Sequence, residues 1–389
     1  MFTLNGIHRF IQSDRPELEK LSTDLWEHPE TAFQEKYSAE RLAQFLEAHG
    51  FDVTRAWLDV PTAFATDFHN GDGPAFGIAA EYDALPAIGH GCGHNLIATA
   101  AVAATLAVRE AMKKYGIPGT VRLLGTPAEE DGGGKVVLLE RGALEGLEAV
   151  MMVHPTWRTV QDTGTSALRK YNVIFHGSEA HAAGNLDFAV NALDAVMLMY
   201  AGINAFRQQL PANCRIHGIV DDGGHVPNVI PGQASCCFYL RSTSEEYMEK
   251  LDARFRAIAE GAAAMTGARL EIVSPSKPYR SRKPNAPMNE QYLADMAALG
   301  AAPVRSTTVN MGSSDFGDFS RALPGVHDYF AVADRKIPGH SREFAEAARG
   351  DFALDSALRA AASMAHIALK FMTDAEFRRN VKADFDREG

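Results

Sequence analysis

Apolar positions recur at helical spacing over residues 16–26 and 38–49, where Leu42, Phe45 and Leu46 share a face and Gly50 stands where a C-terminal cap belongs. A short strand is predicted directly after it, over residues 51–53. Residues 75–80 and 149–153 are instead brief, unbroken apolar runs, the pattern of strands buried on both faces of a parallel sheet, and 120–124 reads as a further strand. Residues 96–113 are alanine-rich and apolar around most of the circumference, which predicts a helix buried against that sheet. Beyond residue 166 the texture changes. Residues 168–176 and 234–241 alternate, 189–206 and 244–266 carry helical periodicity, and 268–273 reads as a further strand, together the pattern of a small α+β sandwich. Helical periodicity resumes at 288–299 and a buried strand at 326–332, so the sandwich is inserted into the first domain. The expected fold is therefore α/β: a catalytic domain of residues 1–166 and 281–389 with a central sheet flanked by helices, plus an inserted α+β domain of residues 167–280. A proline-bearing basic stretch, 274–287, forms the return linker.

Length supports two domains, since 389 residues exceed the roughly 250–300 that one core fills. Hydrophobic residues at 46% and charged residues at 22% are those of an ordinary globular protein, so no segment is expected to be disordered. The net charge of -11, with no basic run among 38 Lys and Arg, disfavours a nucleic-acid footprint. Residues 1–11 lack a basic region leading into a long apolar run, and no apolar stretch approaches the roughly 20 residues that span a bilayer. Four cysteines, two of them the adjacent Cys236 and Cys237, argue against a disulfide framework. A reducing, cytoplasmic setting with no membrane partner is expected.

The chemistry concentrates in Gly89-His90-Gly91-Cys92-Gly93-His94-Asn95. Glycine adopts backbone angles closed to other residues, so three glycines let the chain turn tightly enough for Cys92 and His94 to face one point; on a regular helix they would lie roughly 200° apart. Taken alone, the stretch also reads as a glycine-rich turn with a buried thiol. Further donors lie downstream. The run 75–80 leads into Glu81-Tyr82-Asp83-Ala84-Leu85-Pro86, the run 120–124 into an acid- and glycine-rich loop holding Glu129 and Glu130, and the run 149–153 into His154-Pro155. Open sheets place their chemistry at such strand ends. Adjacent carboxylates on extended backbone point opposite ways, which would send one of Glu129 and Glu130 to a metal and the other to substrate; alternatively, both complement the dipole of the following helix. His28, ahead of Pro29, reads as a turn residue, while His181, His217, His225 and His340 are predicted on or near loops.

Cys92, His94, Glu130, His154 and His340 form a donor set suited to zinc and tolerable for manganese, cobalt or nickel. Five protein donors exceed one open catalytic zinc and fit two cations with a shared ligand. A structural zinc site would instead offer four Cys or His in paired short spacings.

The stretches Glu81-Tyr82-Asp83-Ala84-Leu85-Pro86, Gly91-Cys92-Gly93-His94-Asn95, Pro127-Ala128-Glu129-Glu130, Val153-His154-Pro155, Ala180-His181-Ala182-Ala183, Asn228-Val229-Ile230-Pro231, Gly312-Ser313-Ser314-Asp315-Phe316 and His340-Ser341 resemble, in order and over nearly the whole chain, the M20 family of metallopeptidases and amidohydrolases. Within its N-acyl-amino-acid amidohydrolase branch, the combination of motifs looks closest to the aminobenzoyl-glutamate hydrolases and their dipeptidase-like relatives. Glu81 and Asn95 stand where commoner members of the branch carry Asp, which weakens any transfer of substrate from the auxin-conjugate or hippurate hydrolases. The resemblance implies a two-metal site, with Cys92 bridging, His94 and His154 on one metal, and Glu130 and His340 on the other. It implies Glu129 as general base and acid, Asp83 as the residue orienting a ligand, and an inserted domain that serves as lid and homodimer interface. His181 would act as an oxyanion donor in the partner's site, and Asn228, Arg241 and His181 are candidates for binding a substrate carboxylate; a surface ion pair is the other reading of Arg241. The implied reaction cleaves the amide bond of N-acyl amino acids or small dipeptides. A strict dipeptidase is the alternative, and a non-catalytic binding protein would require a lost ligand or base, which this sequence does not show.

Overall fold

The computed structural model describes residues 2–184 and 186–387. Along the chain run α1 (Leu4–Ser13), α2 (Arg15–Glu27), α3 (Lys36–Ala48), β1 (Thr54–Arg55), β2 (Phe64–His69), β3 (Ala75–Ala80), α4 (His94–Tyr115), β4 (Thr120–Gly125), α5 (Gly134–Glu140) and β5 (Ala149–Thr156). There follow β6 (Ala167–His176), β7 (Ala180–His181), α6 (Ala192–Arg207), β8 (Cys214–Asp222), β9 (Val229–Ile230), β10 (Gln233–Ser242), α7 (Glu245–Thr266) and β11 (Arg269–Val273). Last come α8 (Ala286–Ala298), α9 (Phe316–Ala322), β12 (Gly325–Ala331), α10 (Arg342–Ala347), α11 (Asp351–Thr373) and α12 (Ala375–Phe385). The chain divides into two compact units, one of Met1–Gly164, Arg282–Thr308 and Asp315–Gly389, the other of Thr165–Ser281 and Val309–Ser314. Residues 309–314 thus cluster with the second unit, although they lie within the stretch expected to complete the catalytic domain.

In the first unit six strands form one sheet in the order β1-β2-β4-β3-β5-β12. The four strands β4, β3, β5 and β12 are parallel, and β2 and β1 extend the sheet antiparallel. Because successive side chains on a strand face opposite ways, Ile78, Ala80, Met151 and Val153 enter one core and Ala79, Leu124, Val150 and Met152 another. Helices α4 and α11 contribute to the first core, α5 and α9 to the second. Both faces are covered, which is why β3 and residues 149–153 of β5 read as continuous apolar runs.

Two expectations are corrected here. Phe51 and Val53 are buried but not in a strand: Gly50, at φ +79°, turns the chain so that the Phe51 N–H closes back on the Leu46 carbonyl (3.0 Å), and pairing begins only at Thr54. Helix α4 is also, by length and composition, apolar enough to cross a membrane. The corresponding window is 94% buried within the protein, so this apolar surface is the inside of a core helix.

In the second unit an antiparallel sheet of order β11-β6-β10-β8 carries α6 and α7. Val173, Phe175, Cys236, Phe238 and Leu240 point into a core with Val196, Met199, Leu251 and Phe255. Helix α6 starts at Ala192 rather than 189 because the Asn191 side chain accepts from the Leu193 N–H at 3.0 Å and caps it. A separate two-stranded ribbon joins β7 to β9.

Candidate metal centre

Parallel strands end on the same side of a sheet, so the loops after β3, β4 and β5 arrive together. The loop after β3 brings Glu81 and Asp83 and then the glycine turn into α4, where Gly93, at φ +73°, makes the left-handed entry to the helix. A side chain there would meet the Pro155 ring at 2.7 Å, so glycine is required by space as well as angle. His94 becomes the first residue of α4. Its Nδ1 lies 2.9 Å from Asp83 Oδ1, which fixes that nitrogen as the donor and leaves Nε2 with a lone pair. The other Asp83 oxygen accepts the Glu130 N–H at 2.9 Å, so one carboxylate ties two loops together. His154 Nδ1 is 2.7 Å from the Pro155 carbonyl, which makes Nδ1 the donor and frees Nε2, 3.4 Å from Cys92 Sγ.

Two groups of donors result. Cys92, His94 and His154 bring one atom each within 4.8 Å of one another, and so do Cys92, Glu130 and His340. Cys92 belongs to both. His340 reaches its place through an irregular backbone, φ +56°, with its N–H donated to the Gly91 carbonyl at 3.0 Å. His94, Glu129 and Glu130 form a third such group, which corrects the expectation that Glu129 and Glu130 point apart. The loop is not extended there: Ala128 is left-handed (φ +61°) and the two acids follow in a turn.

The fit to cations is tested by atoms that the protein leaves unsatisfied. His94 Nε2 and Glu130 Oε1 are buried with no hydrogen-bond partner, 3.8 Å apart. Buried polar atoms are otherwise paired, and a cation bound by both would satisfy them. Electrostatics agree. Burial disfavours a charged His94, yet the Asp83 carboxylate outweighs it and raises the imidazole well above its usual pKa. Burial opposes the Asp83 charge too, and His94 outweighs that, holding the carboxyl below its usual range. Burial, then Glu130, push the Cys92 thiol well up, and burial, then Glu81 and Glu130, do the same to Glu129. The shifts of His94, Cys92 and Glu129 mark a cluster rich in anionic donors, and thiol, carboxylate and imidazoles are a zinc-like set.

Behind the donors lies an ion network that the sequence reading did not find. Lys135 is wholly buried, with Nζ 2.5 Å from Glu81 Oε1 and 2.7 Å from Asp315 Oδ1, and its backbone N–H donates to Asp315 Oδ2 at 2.9 Å. Burial lowers the lysine's pKa, but the Asp315 and Glu81 charges outweigh it and raise it. Glu81, Glu129 and Asp315 are themselves a close carboxylate group. The signal available in sequence was a lysine directly after three glycines in an acidic loop; its partner 180 positions away was not readable. His327, also unforeseen, stacks on His154 with ring centroids 5.0 Å apart.

His181, Asn228 and Arg241 belong to the second unit. His181 and Asn228 meet on the small ribbon, where His181 pairs with Val229 and the Ala182 N–H donates to the Asn228 carbonyl at 2.9 Å. Both side chains are exposed. Arg241, half-buried near the end of β10, donates to Ser313 Oγ (2.8 Å) and His217 Nε2 (3.2 Å); no carboxylate pairs with it among the described residues. His28 has the structural place expected of it, stacked on Tyr37 with Nδ1 2.8 Å from the Asp24 carbonyl.

A parallel-sheet domain with thiol, imidazole and carboxylate donors gathered at its strand ends defines a candidate metal centre. Residues 77–370 match the model of Peptidase family M20/M25/M40, and the chain belongs to that family. It is 35% identical to the Xaa-Arg dipeptidase of Mus musculus over 381 residues, covering 94% of this chain and 88% of that protein. It is 37% identical to a p-aminobenzoyl-glutamate hydrolase chain of Escherichia coli (strain K12) over 291 residues, 69% of this chain and 60% of that one. Among solved structures, the Bacillus subtilis YXEP protein, described as a dinuclear metal binding peptidase from M20 family, superposes with a TM-score of 0.70 at 22% identity, covering 92% of this chain and 99% of that one. The aminobenzoyl-glutamate utilization protein of Klebsiella pneumoniae gives 0.70 at 19%, covering 94% and 98%. The chain is accordingly a metal-dependent hydrolase of the peptidase and amidohydrolase kind.

Proposed function

We propose that the protein hydrolyses the amide bond of N-acyl amino acids or small dipeptides at a site for two divalent cations. The observation that carries this reading is Cys92, one thiol common to two three-donor groups. Cys92, His94 and His154 would hold one cation, and Cys92, Glu130 and His340 the other; zinc suits this set best, with manganese, cobalt or nickel tolerated. When bound, such a pair polarises a carbonyl and lowers the pKa of an attacking water. The protein's own groups do the rest. Asp83 keeps the His94 proton on Nδ1, so that Nε2 faces the donors. Glu129, next to Glu130 and grouped with His94, takes the proton of the attacking water and returns it to the leaving amine.

Arg241 and Asn228 are proposed to bind the carboxylate of the leaving amino acid. Arg241 supports this with a guanidinium bonded only to neutral partners, a fork that matches a carboxylate. His181, supplied by a second copy of the chain through a homodimer of the second unit, is proposed to donate to the developing oxyanion. Dipeptides join N-acyl amino acids as candidate substrates because the mouse relative is an Xaa-Arg dipeptidase.

The test is to reconstitute the metal-stripped protein with zinc, manganese, cobalt or nickel and to screen N-acyl amino acids and dipeptides for amine release. Hydrolysis is expected only with metal, at two cations per chain by elemental analysis. Substrate turnover with one cation per chain, or without any, would overturn the two-metal reading.

A further inference from the structure

The segment between α2 and α3, His28-Pro29-Glu30-Thr31-Ala32-Phe33-Gln34-Glu35, holds an acid that the reaction outlined above does not use. Glu35 is completely buried. Its Oε1 accepts two backbone N–H groups, from Phe33 at 3.0 Å and from Ala128 at 2.9 Å. Both donors sit in the left-handed region, Phe33 at φ +58° and Ala128 at φ +61°, where side-chain-bearing residues are uncommon and need support from their surroundings. Ala128 immediately precedes Glu129. Its carbonyl is fixed as well, accepting from Gly133 at 3.0 Å and Gly134 at 3.3 Å. The Phe33 ring lies over the same loop, since a side chain at Gly132 would come within 2.6 Å of it. The left-handed turn that aims the Glu129 side chain is thus held at Ala128 by one carboxyl oxygen of the segment between α2 and α3, as Asp83 holds it at the Glu130 N–H.

We propose that Glu35 is a positioning residue for the hydrolysis: through the Ala128 N–H it fixes the direction of Glu129. This rests on the reading of Glu129 as general base. Glu35 acts through its acceptor oxygen, so an amide of the same shape is a close substitute. Burial and then the Asp83 charge push its carboxyl up to about 7.

The experiment compares Glu35→Gln, Glu35→Asp and Glu35→Ala in the metal-loaded enzyme. It reads kcat, KM, metal content, and hydrogen exchange over residues 126–134 by mass spectrometry. Glu35→Gln keeps an oxygen at the same reach and should hold kcat within about 3-fold. Glu35→Asp and Glu35→Ala withdraw it, and kcat should fall at least about 10-fold with KM within about 2-fold, because small misplacements of a reacting group are costly in rate. Metal content should stay at two per chain while exchange over 126–134 quickens. In a Glu129→Gln background, Glu35→Asp should change the residual kcat less than about 2-fold, since the two residues act through one side chain. Wild-type kcat in Glu35→Asp, a loss matched by loss of metal, or full additivity with Glu129→Gln would overturn the proposal. If Glu35→Ala fails to fold, Glu35→Asp decides. Should Glu35→Asp fail to fold as well, Glu35 is an anchor of the fold and the proposal falls. Full kcat in Glu129→Gln alone would remove the general base itself, a failure separate from any behaviour of Glu35.

Discussion

The two units hold their candidate residues in opposite ways. In the first, Asp83, His94, Glu129 and Lys135 are buried; Asp83 bonds both His94 and the Glu130 N–H of another loop, and Lys135 bonds Glu81 and Asp315. In the second, His181 and Asn228 stand exposed on a two-stranded ribbon, and Arg241 makes only neutral hydrogen bonds. A buried charge is costly unless paired, so the first arrangement is rigid and intolerant of change. An exposed polar group is indifferent to the fold and free to serve a ligand. The proposed division of roles follows that contrast, with bond breaking assigned to the first kind of site and substrate selection to the second.

That contrast sets a descending series of effects. Lys135→Met removes the ammonium that balances a group of buried carboxylates and should destabilise the protein by about 3–5 kcal/mol, measured as a lower denaturant midpoint; a midpoint equal to the wild type would show that Glu81 and Asp315 do not depend on it. Glu129→Gln should lower kcat by at least about 10², with metal content unchanged and stability intact. Retained activity would dismiss Glu129 from the reaction. Arg241→Ala should leave the denaturation midpoint alone and cost about 2 kcal/mol in kcat/KM, and a substrate whose free carboxylate is made an amide should suffer alike. If acid and amide are hydrolysed equally well, carboxylate recognition is wrong; if only the variant is unaffected, the error is in the choice of residue. The smallest signal comes from mixing inactive His181→Ala and Glu129→Gln chains. Each heterodimer should regain up to about half its sites, one of which draws both groups from intact positions. Verified heterodimers with no activity would exclude action in trans.

The parallel core was legible in the sequence because a strand buried on both faces has to be apolar throughout, and residues 75–80 are so in full. The alternating β6 and β10 announced the second unit by the same logic, with one face covered. Candidate donors could be found because they follow those strands, beside glycines that have few other reasons to cluster. What could not be read depended on single backbone angles and on distance along the chain. Ala128 is left-handed though nothing about alanine favours it, and that one angle turns Glu129 and Glu130 toward His94 instead of apart. Lys135 and Asp315 are 180 positions apart, Glu35 and Ala128 are 93, and no local pattern encodes either pair. Pairing at β1 was misplaced for a smaller reason: the turn at Gly50 delays it by a few residues.

The burial of α4 has a consequence for how the chain is made. This helix is apolar enough to enter a lipid bilayer, and among the surfaces that cover it is α11. Roughly 240 residues separate the end of one from the start of the other; a ribosome adding about 5–20 residues per second needs on the order of ten to fifty seconds to bridge that gap. For that interval the nascent protein carries a sticky, membrane-like helix without one of its native covers. The strands β3, β4 and β5, on which α4 also packs, are made long before α11 and can cover part of it in the meantime.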